Sequence, residues 1–522
     1  MPAHIRRPSV HRNAPFYDSE CVASKRLYRA ALRRGAPLEE LRGLERAYHN
    51  LVRGKRRLYQ RQHLFDLLDC QRRDPRRFWK RLRRSGTALP LSLHDPHVWT
   101  PYLTSLCNTL PVHPPVFPAY AYPLRLLVDC APLNVPLTED DVLQGLKRLH
   151  NGRSSATSGV VGELYRYAQH TPSSDHPSPD HILLPYLHRL LNSFFLLGHT
   201  PASANVSTVT PIFKKGDPSD TSNYRPIAVS SPILRLYANV LNARLLDFTE
   251  ERQLRSQTQA GFRPQLSTLL PVFALQHLID ATSRTQPLYC CFLDLKAAYD
   301  YVYRPFLWEV LFRLGIRGRI FTALQSLYAQ SRLAIKIGNH IGHELPSLTG
   351  VKQGCPLSPT LSGLFVDGLT RYIAHYCPGL GATLGDGSCL PALLYADDVA
   401  LLATSPADLQ TLIDSSAAFC KYVGLRLSPA KPSVISLPQI RPSYVWSCEG
   451  LEVQRISTVA YLGMVLDGCW VILSTCLSME QKMSAAWDSL QRQYAGLECG
   501  VALGLLSCLC VACVSPFICI WM

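Results

Sequence analysis

Negative charge is in short supply in this chain. Its 522 residues carry 38 aspartates and glutamates against 54 lysines and arginines, a formal charge of +16 with a pI near 9.1. That deficit points to a polyanionic partner, and nucleic acid or an anionic membrane would both fit. An apolar core is missing from the N-terminal MPAHIRRPSVHRN, so no secretory signal is expected there. Regular cysteine spacing is missing too. Eighteen irregularly scattered cysteines in so long a chain do not make a disulfide scaffold, and reduced thiols in an intracellular protein, in nucleus or cytoplasm, are expected. No CxxC pair has a partnering His cluster, which excludes a zinc site as an expectation. What the chain does have is length, enough for several domains and a large core.

The few acids are placed unusually. Leu393 to Leu402 reads LLYADDVALL, two short apolar runs meeting at adjacent carboxylates. Runs this short and apolar predict two buried strands joined by a tight turn, with Asp397 and Asp398 at the hairpin tip. Two neighbouring anions on an apolar hairpin repel and are poorly solvated unless a cation joins them. Carboxylate oxygens suit Mg²⁺, which completes its octahedron with water and substrate phosphates. Adjacent acids in a solvated turn are common, so the pair alone is weak evidence. A third acid strengthens it. Tyr289 to Val302, YCCFLDLKAAYDYV, is another apolar strand that runs into an acid, Asp294. Strand ends carrying Asp294 and Asp397 in one sheet could hold two metals about 4 Å apart, the arrangement used for in-line displacement at phosphorus.

The blocks FLDLKAAYD, GVKQGCPLSP (Gly350 to Pro359) and YADD, in that order, resemble the palm of reverse transcriptases, and most of all those of non-LTR (LINE-type) retrotransposons. The resemblance runs from about Leu137 to Asp467. It implies an α+β right-hand polymerase with fingers, palm and partial thumb behind an N-terminal basic helical extension. The expected domains are a basic helical linker (1–86), a proline-rich connection (87–136), fingers (137–285), a palm with a primer-grip-like hairpin (286–470), and a partial thumb or decayed apolar tail (471–522). The implied activity is RNA-directed DNA polymerisation with two Mg²⁺ ions, Mn²⁺ being a possible substitute, and the partners are an RNA template, a DNA primer and dNTPs.

The resemblance also assigns residues. Asp294, Asp397 and Asp398 are the expected catalytic acids and metal ligands. Lys431 matches a lysine that can act as acid toward pyrophosphate, although Pro429 and Pro432 depart from the usual pattern around it. Tyr299 is the expected sugar gate, set against the bland reading of a core aromatic, while Asp300 beside it is expected to be a helix or turn acid. Gln353 and Gly354 belong to a flexible loop that lets backbone approach the nucleotide. Lys214 and Arg225, in the fingers block TPIFKKGDPSDTSNYRPIAVS, are further expected nucleotide contacts. Arg263 in QAGFRPQLST, and Tyr461 and Gly463 in YLGMVLD, are expected to touch nucleic acid.

Toward the N-terminus, leucines at helical spacing predict helix over Cys21 to Arg84. Arg53 to Arg84 concentrates positive charge, including Arg56, Arg57, Arg76, Arg77 and Lys80. A solvated helical face or a nuclear-targeting run would explain it, but interleaved Tyr59, Phe65, Phe78 and Trp79 favour nucleic acid, with aromatics stacking on bases and cations on phosphates. The proline-dense PVHPPVFPAYAYP argues for a linker or an ordered but irregular wrap. Gly500 to Met522 has no charged residue and is long enough to span a bilayer; Pro516, five cysteines from Cys499 onward and the resemblance favour the start of a thumb over a membrane anchor. The other readings that stay open are a catalytically inactive nucleic-acid-binding remnant and a domesticated or intron-encoded reverse transcriptase.

Overall fold

A computed structural model describes residues 15–73, 89–108, 116–156, 159–169, 181–282, 287–338, 340–428, 432–437 and 444–466. The chain divides into two compact units, one of Met1–Ala88 with Cys476–Met522 and one of Leu89–Thr475.

The described part of the first unit is a helical hairpin. Its first helix, Ser19–Arg33, starts where the Asp18 carboxylate accepts the Cys21 N–H, with Glu20 in the first turn and Arg33 in the last. Both charges complement the helix dipole. After a left-handed Gly35 (φ 70°) the long helix Leu38–Arg73 returns. Lys55 of that helix pairs with Asp18 and Glu20. Of the stretch expected to be helical, Cys21 to Arg84, the part described to Arg73 is two helices with a break between Arg33 and Leu38. Residues 74–84 lie outside the described residues, and Leu27, Leu32 and Leu58 are 63, 56 and 61 % exposed. Two helices share only one narrow seam, and Cys21, Ala31 and Tyr48 occupy it.

The second unit is built on two sheets. In the first, β1 (Val206–Phe213) and β2 (Tyr224–Val229) form a hairpin, β4 (Arg332–Ile337) runs parallel to β1, and β5 (His340–Pro346) closes the order β2-β1-β4-β5. Residues 332–346 therefore extend the sheet of the expected fingers, although their place in the chain put them with the palm. The helix Thr100–Cys107 and the turns before it cover this sheet. Trp99, Leu103 and Leu106 pack with Val209, Tyr224, Leu333 and Ile335, and the Tyr102 hydroxyl donates to the Tyr224 carbonyl at 3.0 Å. Of the two readings of the proline-dense region, the ordered wrap is the one seen where it is described. Tyr122, fully buried, donates its hydroxyl to the Phe365 carbonyl and lies so close to Gly368 that a Cβ there would meet its ring at 2.2 Å.

The second sheet has β3 (Leu288–Asp294) at its centre, in the order β9-β8-β3-β7-β6, with β6 Ala392–Tyr395, β7 Asp398–Ala403, β8 Ser433–Leu437 and β9 Gln454–Arg455. Leu288 to Leu293 are all buried, which is why this strand reads as an unbroken apolar run. Pro406–Val423 packs on the sheet through Leu409, Leu412, Ile413, Phe419 and Val423, starts at Ser405 and ends at a left-handed Gly424. Thr138 forms a capping box with Asp141 at the start of Glu139–Lys147. That helix touches Pro232–Glu251 at Gly145, where an added Cβ would be 2.7 Å from Val240. One continuous apolar core joins these helices to the sheet.

Candidate active site

The acids come together because β3 pairs antiparallel with β7. The register sets Asp294 directly across from Asp398, and residues opposite each other share a face of the sheet. Asp397 lies in the two-residue turn closed by the Tyr395–Asp398 pair. Its carbonyl accepts the Leu295 N–H at 3.3 Å, while the Asp294 carbonyl accepts the Ser428 N–H at 2.9 Å. The expected strand-ends-in-acid geometry is therefore present, with one difference: Asp398, rather than Asp397, faces Asp294 in the ladder. All three acids are half-buried.

Each of the two adjacent acids acts electrostatically on a tyrosine. The Asp397 charge acts on the Tyr299 phenol and the Asp398 charge on the Tyr461 phenol. Burial first, then the neighbouring anion, pushes Tyr299 up to about 12 against an opposing hydrogen bond from Ser362; Tyr461 is raised for the same two leading reasons. The Tyr299 ring also meets Phe262 edge-on at 6.5 Å.

The loop expected to meet the nucleotide is clamped on both sides. The Val351 N–H donates to the Tyr299 carbonyl and the Ala228 N–H to the Gln353 carbonyl, each at 2.7 Å. Gly350 (φ 72°) and Gly354 (φ 114°) both require glycine: a Cβ would lie 2.6 Å from the Asp300 carbonyl in the first case and 2.6 Å from the Ala228 carbonyl in the second. Gln353 is half-buried and Gly354 exposed. Asp300, Lys352 and Gln353 line a small pocket with Pro226 and Ala228 of β2. Arg225 is exposed on the neighbouring strand and Lys214 in the turn after β1; Lys214 exerts an attraction on Asp300.

Two expected nucleic-acid contacts need correction. Arg263 is turned inward: it pairs with Glu250 at 2.6 Å and donates to the carbonyls of Ser256 and Gln259. Its fork is occupied by its own fold. Tyr461 is 3 % exposed and packs on Phe292 at 5.1 Å, so it anchors the hairpin β10 (Val459–Tyr461) to β11 (Met464–Leu466) instead of facing outward, while Gly463 is exposed in its turn. Arg56 and Arg57 are exposed on the long helix. Lys431, Arg76, Arg77, Lys80 and the charge-free C-terminal stretch lie outside the described residues.

Arg304 and Lys352 have no role assigned from the sequence, and Asp300, expected as a helix or turn acid, lies in a turn. Arg304, 7 % exposed, donates to the carbonyls of Gly350, Tyr328, Ser347 and Thr349 and to the Ser347 hydroxyl; burial lowers its pKa to about 10. Lys352 holds Asn205 at 2.6 Å and the Leu327 carbonyl at 3.3 Å, and burial lowers it to about 8. Burial raises the Asp300 carboxyl to about 7, with Lys214 opposing. Their only signal in the sequence was position, inside or beside the three blocks.

Hard oxygen donors at Asp294, Asp397 and Asp398 suit Mg²⁺. Among the described residues no group of three or more His, Cys, Asp or Glu side chains is placed to hold a metal ion. Ten cysteines of the described residues, Cys290, Cys291 and Cys355 among them, are free thiols, and among the described residues no helix is long and apolar enough to cross a membrane.

Residues 212–466 match the family described as reverse transcriptase (RNA-dependent DNA polymerase). A retrovirus-related Pol polyprotein from the type-1 retrotransposable element R2 of Popillia japonica is 28% identical over 326 residues, 60% of this chain and 45% of that protein. A probable RNA-directed DNA polymerase from transposon BS of Drosophila melanogaster is 27% identical over 356 residues, 66% of this chain and 37% of the relative. The RNA-directed DNA polymerase from mobile element jockey of Drosophila funebris is 25% identical over 298 residues, 55% and 32% of the two chains. The chain spans less than half the length of each of these relatives. The resemblance read from the palm blocks is borne out.

Proposed function

We propose that this chain, whose residues 212–466 match the reverse transcriptase family, acts as the RNA-directed DNA polymerase of a non-LTR retrotransposon, extending a DNA primer on an RNA template. The observation that carries the reading is the β3–β7 register, which sets Asp294 opposite Asp398 with Asp397 in the adjoining turn. Asp294, Asp397 and Asp398 would hold the divalent ions, Mg²⁺ or Mn²⁺. When bound, such ions lower the pKa of a primer hydroxyl and neutralise the leaving phosphates. The protein's part is positioning and charge placement, as in other phosphoryl transfers.

Tyr299, with Phe262 edge-on to its ring and the Asp397 charge acting on its phenol, would stand under the sugar and exclude a 2′-hydroxyl. Gln353 and Gly354 offer backbone and amide to the nucleotide, and Lys214 and Arg225 supply cations for phosphates. Residues 137–285 serve as fingers together with β4 and β5, and the remainder of 286–470 as palm. The exposed turn at Gly463 meets the primer, and Arg56 and Arg57 meet nucleic-acid backbone. The test is incorporation of labelled dNTPs, and of NTPs in a parallel reaction, on a DNA-primed RNA template. Mg²⁺-dependent incorporation of dNTPs in large excess over NTPs is expected; no incorporation of either by the folded chain contradicts the reading.

A further inference from the structure

The turn that carries Asp397 is strained, and its support comes from another part of the chain. Ala396 has φ 60°, a left-handed conformation that costs an L-residue with a Cβ about 1 kcal/mol. Gln259, with no exposed surface, reaches this residue from both sides. Its Oε1 accepts the N–H groups of Ala396 and Gly261, each at 2.9 Å, and its Nε2 donates to the Ala396 carbonyl at 3.4 Å. The backbone beside it is tied to β6, with Ala260 N–H donating to the Leu394 carbonyl and Leu394 N–H to the Thr258 carbonyl, both at 2.9 Å.

Two further observations point the same way. Gly261 passes so close to the turn that a Cβ there would lie 2.2 Å from the Ala396 nitrogen, a distance no backbone atom can yield. Arg263 donates to the Gln259 carbonyl at 3.2 Å while held by Glu250, so its inward turn anchors this segment. A primary amide can accept from two N–H groups through its oxygen and donate to a carbonyl through its nitrogen at once.

We propose that Gln259 is a positioning residue for Asp397: with Gly261 and Arg263 it forms a latch that fixes the acid-bearing turn in its metal-binding geometry. The inference rests on the reading of Asp294, Asp397 and Asp398 as ion ligands. Partners of this kind, one shell behind the ligands, are worth roughly 10–100-fold in metal affinity.

The test uses the full chain on a primer–template and compares wild type, Gln259→Leu and Gln259→Glu. Mn²⁺ binding is followed by the electron paramagnetic resonance of free Mn²⁺, and Mg²⁺ dependence by primer extension. Gln259→Leu should weaken Mn²⁺ binding about tenfold or more and raise the half-maximal Mg²⁺ concentration in parallel, with primer–template affinity unchanged. Gln259→Glu keeps an acceptor for both N–H groups and should recover most of the loss. Wild-type Mn²⁺ affinity in the leucine variant overturns the latch. If that variant does not fold, amide hydrogen exchange in the wild type decides: protection of Ala396 like that of β6 supports the latch, and exchange as fast as an open turn overturns it. A folded wild type that neither extends a primer nor binds Mn²⁺ removes the polymerase reading and the latch with it; a wild type that does both while Gln259→Leu matches it removes the latch alone.

Discussion

Arginine does opposite work in the two units. On the long helix Leu38–Arg73, Arg56 and Arg57 stand in solvent, on a hairpin whose seam buries few residues. In the second unit Arg304 is 7 % exposed and spends its whole guanidinium on the Ser347–Gly350 segment and Tyr328, Arg255 pairs with Asp367 at 2.7 Å with both side chains buried, and Arg263 is held by Glu250. Positive charge at the surface is available to a polyanion. Turned inward, Arg304 and Arg263 become multi-pronged donors that fix irregular backbone, and here that backbone leads into the Gly350–Gly354 loop and the Gln259 latch.

Removing an inward arginine should break this contrast most strongly. Arg304→Met leaves several buried carbonyls without a donor, and chemical denaturation should show a loss of at least about 3 kcal/mol, with a higher KM for nucleotide because the loop is no longer held.

Asp300 gives the next effect, and its sign follows from its pKa. Burial raises the folded-state value to about 7 from the ordinary 3.8, so between about pH 4 and 7 the folded protein holds a proton that the unfolded chain has released. Stability therefore falls as pH rises through that window. Asp300→Asn should be more stable than wild type at pH 8, on the order of 2–4 kcal/mol, and the difference should vanish below pH 4. Urea unfolding across pH 4 to 8 measures it.

The smallest effect on folding belongs to the outward arginines. Arg56→Ala with Arg57→Ala should change stability by no more than about 0.5 kcal/mol, yet lower nucleic-acid affinity regardless of base sequence and reduce the salt slope of binding by about 2. An unchanged salt slope would mean that these side chains are only a solvated face.

Much of this architecture was legible because it is local. The apolar run Leu288 to Leu293 ending in Asp294, the hairpin around Asp397 and Asp398, the Thr138 cap and the Gly424 turn each follow from a few consecutive residues. The illegible part is long-range. Arg263 reads as a free cation until the fold brings Glu250 to it, Tyr461 reads as a surface aromatic until Phe292 packs on it, and Leu27 or Leu58 reads as core because periodicity reports a face without saying what covers it. Gln259 could not be singled out at all: its partner, Ala396, is 137 residues away. Strand pairing likewise moved residues 332–346 into the first sheet, since a parallel partner for β1 cannot be read from sequence spacing.

The most direct test of the account is primer extension on an RNA template by Asp397→Asn, with template binding measured on the same sample. Losing one metal-binding charge should lower Mg²⁺-dependent extension by about a thousandfold or more while RNA binding stays within about twofold, since phosphate contacts made elsewhere dominate that affinity. Extension by the asparagine variant at the wild-type rate would contradict the assignment of this turn as the catalytic centre.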